Sequence, residues 1–295
     1  MKKINELLKL NDIRALSYKR VGNVIISDTN KGKIVIKKNN IKEDIFNYLN
    51  TRNFNYYPEM IKDSEYVVSK YIEEVNIPEE QKILDLIDLI ALLHSKTTHY
   101  KEISVDEYKK IYEDLMNNYE YLYEYYNDLI TLIDDKVFMS SSEYLLARNI
   151  SFIFKAIEYG KSYIESWYKK VENLNKMRVV VVHNKLDLSH YIKSDKDYLI
   201  SWEKSKIDMP LFDLYILYNR HFMDFEFYEL LNRYESIYPL KDYELELLFI
   251  LINMPSKIDF TDNNYDMCIS ISREIDRLYK SNYLIEQYKK SIYEN

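Results

Sequence analysis

The side chains with chemical reach in this chain concentrate between residues 179 and 216. His183, Lys185, Asp187 and His190 share one polar stretch, His183-Asn184-Lys185-Leu186-Asp187-Leu188-Ser189-His190. Ser201, Trp202 and Glu203 follow, then Asp208 and Asp213. Carboxylates accept protons or ligate hard cations, imidazoles ligate transition metals, and lysine is a cation at neutral pH. His183 and His190 with Asp187 raise a metal reading, but their spacing matches no strong zinc signature.

The surrounding pattern says how these groups are held. Four consecutive valines at 179–182 are too short a run for a helix and suit a buried strand. The polar loop 183–190 follows. Residues 191–200 read as a hairpin turning on Ser194-Asp195-Lys196-Asp197. Pro210 is a good first-turn residue for the next helix.

Strand, polar loop, hairpin, short acidic motif and Asp-Leu on a helix: this order resembles the core of the aminoglycoside-phosphotransferase and choline-kinase-like branch of the protein-kinase fold. The family loop reads His-Gly-Asp-Leu-x-x-x-Asn; His183 and Leu186 match it. Lys185 stands at the catalytic Asp position and His190 at the metal-binding Asn position. The family's Ile-Asp-Trp-Glu/Asp is similar to Ile200-Ser201-Trp202-Glu203, with Ser201 in place of the metal-binding Asp. Asp208-Met209-Pro210-Leu211-Phe212-Asp213-Leu214 is similar to Asp-Pro-x-x-Asp-Leu. The resemblance implies structural roles for His183, Trp202 and Asp213, the last bracing the loop.

Phosphoryl transfer needs a carboxylate to take the hydroxyl proton and oxygen ligands to hold magnesium against the phosphates. A protonated lysine cannot accept that proton. Imidazole is a poor ligand for magnesium, and Ser201 offers a neutral hydroxyl. The expected reading is therefore a pseudokinase: a scaffold or assembly factor without a cofactor. The alternative is a divergent small-molecule phosphotransferase using ATP and magnesium. There Asp187, two residues along an extended loop, would reach where Lys185 stands, and Glu203 would hold metal in place of Ser201.

With 295 residues, 47% of them hydrophobic, the chain can build two lobes with their own cores. A net charge of −7 argues against a nucleic-acid footprint. Abundant Asn, Lys, Ile and Tyr suggest an AT-rich genome. The single cysteine, Cys268, excludes an internal disulfide and reads as a packed thiol. Residues 4–10 are broken by Asn5, Glu6 and Lys9, so no signal-type apolar core is expected there. The longest apolar run, 247–252, falls far short of a membrane span. The expected location is the cytoplasm.

The resemblance implies an α+β, two-lobed, protein-kinase-like fold. A small antiparallel β-rich lobe covers residues 1–75, and a large, mainly helical lobe with a helical insertion covers 76–295. Strands at 18–26 and 33–37 would cover a nucleotide, with Lys37 as the phosphate-binding lysine and Lys38 close behind. Glu43, on a helix at 41–52, would be its partner. Strands at 58–61 and 65–72 lead to a hinge at 71–76, where Tyr71 and Ile72 would meet an adenine.

A helix opens at Pro78, and its Leu92-Leu93-His94-Ser95 is similar to a family signature, with His94 as a structural hydrogen-bonding residue. Residues 105–175 are almost unbroken helix, with tyrosines concentrated at 119–126. The tyrosines read as interhelical packing or, where exposed, as a protein-partner surface at 105–130. Ser140-Ser141-Ser142-Glu143 reads as a helix cap. This tyrosine-rich insertion and the 201–208 stretch make the chain look most like the spore-coat-associated CotS/YutH type.

Overall fold

Alternating side chains on two neighbouring strands give one sheet two working faces. The computed structural model describes residues 2–259, 261 and 263–294. Helix α1 (Lys2–Leu10) leads into strands β1 (Lys19–Val21), β2 (Val24–Thr29) and β3 (Gly32–Lys38). Helix α2 (Glu43–Thr51) precedes β4 (Met60–Lys62) and β5 (Tyr66–Lys70), and the antiparallel sheet runs β1-β2-β3-β5-β4. Ile36 lies opposite both Ile25 and Val68. Ile34, Ile36 and Val68 bury against Ile4, Leu7 and Leu8 of α1. The opposite parity (Val35, Lys37, Val67 and Ser69) points to the other face. Helix α3 (Glu79–Thr97) follows, carrying His94 fully buried.

Strand β6 (His99–Glu102), helices α4 (Val105–Asp134) and α5 (Ser141–Val171) and strand β7 (Lys176–Val182) come next. The cap at the start of α5 forms as its sequence implies: Ser140 accepts from the Glu143 backbone N–H, and Glu143 accepts from that of Ser140. The hydroxyl end of the Tyr119 ring of α4 lies against Gly160 of α5. A Cβ built on that glycine would meet the ring at 2.2 Å, so the close approach requires glycine.

Hairpin β8 (Tyr191–Lys193) and β9 (Asp197–Leu199) is tied to α3 by charge. Lys193 Nζ lies 2.9 Å from Asp85 Oδ2 and 2.8 Å from Asp197 Oδ1, and Tyr191 donates to Asp197 Oδ1 at 2.7 Å. Burial pushes the Asp85 carboxyl up, but hydrogen bonds from Lys193, Gln81 and Tyr191 outweigh it and hold the group below its ordinary range.

Strand β10 (Lys206–Asp208) extends a second sheet of order β10-β7-β6, followed by helices α6 (Leu211–His221), α7 (Phe227–Ile237), α8 (Asp242–Asn253) and α9 (Asn264–Glu294). The valines of β7 are fully buried, as their sequence implies. Among the described residues no helix is long and apolar enough to cross a membrane.

Two compact units result: Met1–Thr97 with His183–Lys206, and Thr98–Val182 with Ile207–Asn295. The first unit holds the β-rich region, and the second is mainly helical. Helix α3 and the polar segment 183–206 group with the first unit, although the sequence reading placed both in the second lobe. Asp85 on α3 and the hairpin's Lys193 tie these two segments to each other.

The tyrosine-rich stretch divides. Tyr119 and Tyr126 are fully buried and donate to the carbonyls of Ile250 and Ser256. Tyr121 and Tyr123 are exposed. Cys268 is half-buried, between buried Met267 and exposed Ile269.

Candidate functional site

Within the first unit, the second face of the sheet walls a cleft of about 280 Å³. Its apolar lining includes Val24, Val35, Met60, Val67, Ile72 and Ile200. Lys37, Lys38 and Lys70 supply cations, and Glu74 and Glu203 supply carboxylates. Of the residues singled out in the sequence, Lys37, Tyr71, Ile72, Ser201, Trp202 and Glu203 line this cleft. Lys70, Ser69 and Glu74 were missed. For Ser69 the alternation of 66–70 was the available signal, since Val67 and Ser69 must share a face.

Glu203 is the centre of charge. Its Oε1 lies 3.8 Å from Lys37 Nζ and its Oε2 lies 3.9 Å from Lys185 Nζ. All three side chains are about one-third exposed. Oε2 is shielded from solvent and accepts no hydrogen bond at these distances. The carboxylate is thus held between two ammonium groups without being saturated by either.

Glu43 does not partner Lys37. It lies on an exposed face of α2, 2.9 Å from Lys62 Nζ. At the first turn of a short helix it reaches β4, while Glu203 occupies the place beside Lys37. Tyr71 donates its backbone N–H to Lys33 at 2.9 Å, which extends the sheet into the segment expected as a hinge.

The loop 183–190 is built from its own hydrogen bonds. His183 is fully buried; its Nε2 meets the Ile200 carbonyl at 2.8 Å, and its ring packs edge-on to Trp202 at 5.1 Å. A carbonyl only accepts, so Nε2 carries the proton. His190 Nδ1 likewise donates to the Lys185 carbonyl at 2.7 Å. Burial pushes the His190 imidazole down, and this outweighs the hydrogen bond to the Lys185 carbonyl, which pushes it up.

Asp187 caps the 3₁₀ turn Leu188–His190: its Oδ1 accepts from the Ser189 N–H at 2.8 Å and from the Ser189 hydroxyl at 2.6 Å. Neither Asp187 nor His190 lines the cleft. Asp213 is buried in the first turn of α6, in the second unit.

Ser201 holds a left-handed conformation, φ 68° and ψ 47°. For a non-glycine residue this costs about 1–2 kcal/mol. The turn delivers Trp202 to an aromatic cluster with Phe46, Phe54 and Tyr57, and Glu203 to the cleft. Trp202 Nε1 donates to the Leu199 carbonyl at 2.9 Å, which fixes the indole. Among the described residues no three His, Cys, Asp or Glu side chains are grouped to hold a metal ion.

No protein-family model and no curated protein matches the sequence. Solved structures do match. An aminoglycoside phosphotransferase from Alicyclobacillus acidocaldarius superposes with a TM-score of 0.70 at 11% identity, over 94% of this chain and 93% of that one. The chain has an aminoglycoside-phosphotransferase-like fold. The AMP-bound complex of a spectinomycin phosphotransferase superposes with a TM-score of 0.55 at 12% identity, over 100% of this chain and 95% of that one. The α+β, kinase-like architecture expected from the motif order is therefore present. At this identity the likeness carries the fold and not the chemistry.

Proposed function

We propose that this protein is a kinase-like scaffold or assembly factor that has lost phosphoryl transfer, of the spore-coat-associated CotS/YutH type and cytoplasmic before any assembly. The observation that carries the reading is the seat of Glu203 between Lys37 and Lys185. A carboxylate neutralised by two lysines is a weak seat for magnesium. The other family positions offer a serine hydroxyl and a half-buried imidazole, whereas magnesium demands near-octahedral oxygen ligands. The residues present do not fit that ion.

The proton acceptor is missing as well. Lys185 stands at its position, and Asp187, the substitute in the divergent-phosphotransferase alternative, is committed to Ser189. A capping carboxylate can serve as a base only by giving up the turn it stabilises. What survives is the frame: buried His183 and Trp202 keep the loop in place without the groups of transfer. Tyr121 and Tyr123, exposed on α4, are the proposed partner surface within 105–130.

The test is phosphate release and transfer measured with ATP and magnesium or manganese, against aminoglycosides, choline and water. No turnover above a heat-inactivated control is expected. Turnover abolished by Asp187→Asn overturns the reading in favour of the divergent phosphotransferase.

A further inference from the structure

We propose that the end of α1, residues 11–18 and the edge strand β1 form a peripheral docking surface for an anionic lipid bilayer, with Lys9, Arg14 and Lys19 on the headgroup phosphates and Leu10 and Leu16 in the acyl boundary. This surface shares no residue with the cleft and does not depend on the loss of transfer. Charge is unevenly divided along the chain. The net charge is −7 overall, yet residues 1–33 carry eight Lys and Arg against three Asp and Glu. That surplus of five cations leaves the rest of the chain at −12. An anionic surface therefore attracts this segment and repels the remainder.

The cations of the segment are grouped and available. Lys9, Asp12, Arg14 and Tyr18 line one groove of about 490 Å³ between α1 and the chain leading to β1. Lys31 Nζ donates to the Asn11 carbonyl at 3.0 Å, which brings a further ammonium to the exit of α1. Strand β1 is the first in its sheet, and its Lys19, Arg20 and Val21 are all exposed. Among the described residues Lys9, Arg14 and Lys19 have no ion pair, whereas Lys3 is committed to Glu65.

Two leucines decide the kind of partner. The apolar face of α1 packs on the sheet through Ile4, Leu7 and Leu8. Leu10 and Leu16 are left 83% and 69% exposed, the one next to Lys9 in sequence and the other between Arg14 and Tyr18. A single exposed leucine is ordinary; two placed among unpaired cations form the pattern of an interfacial membrane contact. Ammonium and guanidinium groups donate to lipid phosphates, and the leucines enter the hydrocarbon below them. A nucleic-acid backbone would use the charges and leave the leucines in water. A folded acidic protein would need a pocket matched to each leucine; a fluid bilayer accepts both without one.

The test is flotation of the full chain with vesicles of phosphatidylcholine alone and of phosphatidylcholine mixed with phosphatidylglycerol. At low salt, binding to the anionic vesicles is expected to be about tenfold tighter or more, and to weaken as salt shortens the screening length. Lys9→Ala, Arg14→Ala and Lys19→Ala combined are expected to weaken it about tenfold or more. Lys109, Lys110 and Lys155 are exposed on α4 and α5. Lys109→Ala, Lys110→Ala and Lys155→Ala combined make the same change in net charge, and this control is expected to bind as the natural chain does. Leu10→Ser with Leu16→Ser keeps every charge and is expected to lose about tenfold. Circular dichroism checks that each variant folds. Equal binding to both vesicles, no binding to either, an equal loss in the control, or an unchanged leucine variant overturns the proposal. Polyglutamate bound as tightly as the anionic vesicles, with the leucines making no difference, overturns it in favour of an acidic protein partner. None of these outcomes bears on phosphoryl transfer.

Discussion

His183 Nε2 and the Ile200 carbonyl oxygen are 2.8 Å apart, a bond that joins the start of the polar loop to the residue preceding Ser201. The imidazole is fully buried, so deleting it leaves both a void and an acceptor without its donor. His183→Ala is expected to cost about 2–4 kcal/mol. Urea titration checks this, and the two tryptophans make it specific: Trp202 lies in the first unit and Trp167 in the second. In a Trp167→Phe background, fluorescence follows the first unit alone, and its midpoint should fall. His183→Gln, which can still donate, should recover part of the loss.

His190 gives a pH dependence of definite sign. Burial, against the opposing hydrogen bond to the Lys185 carbonyl, holds its folded pKa below the ordinary histidine value. The folded state therefore binds the proton less readily than the unfolded chain. The contribution to stability is complete above about pH 6.5, the unfolded pKa, and is lost as pH falls through the folded value. Melting temperatures from pH 8 to 5 should fall more steeply for the natural chain than for His190→Asn. Equal slopes would show that the imidazole titrates as it does in water.

Much of this was legible in the sequence, for identifiable reasons. The valines of 179–182 and the Ser140/Glu143 cap are local signals, and the structure forms both. The loop's resemblance came from the order of its motifs, and the structure shows that the motif residues His183 and Trp202 are buried packing residues. The partner of Lys37 was not legible. Glu43 and Glu203 are both acidic and suitably spaced in a kinase-like frame, and only the path of the chain through Ser201 brings Glu203 to the lysine. Lys70 escaped because alternation sets it, opposite Ile34, on the other face from Val67 and Ser69, and only its place at the end of β5 brings it to the cleft.

In the second unit, Arg178 and Glu244 form a buried two-pronged ion pair, Arg178 Nε donating to Glu244 Oε1 at 3.0 Å, with Pro239 O accepting from the same guanidinium at 3.0 Å. Glu244 is fully buried and its removal strands a cation. Glu244→Ala is expected to cost about 3–5 kcal/mol. The double variant Arg178→Met, Glu244→Leu removes both charges and should recover most of that loss. Denaturation followed by Trp167 fluorescence in a Trp202→Phe background reads the difference.

Gly160 sets a limit on the packing of α4 and α5. In an open helix, Gly→Ala stabilises by up to about 1 kcal/mol. Here the added methyl would meet Tyr119 Cζ at 2.2 Å and its hydroxyl oxygen at 2.4 Å. That ring is fully buried, and its hydroxyl is held by the Ile250 carbonyl at 3.0 Å. Overpacking should therefore reverse the sign, and Gly160→Ala is expected to destabilise by about 1–3 kcal/mol. Tyr119→Leu removes the obstructing ring at its own cost in cavity and hydrogen bond. In the Tyr119→Leu background the alanine should cease to be harmful. A thermodynamic cycle over the four proteins gives the coupling, expected to be at least about 1 kcal/mol for residues in direct contact. Additivity would mean that the two helices separate without resistance, and that the glycine is not what lets them approach.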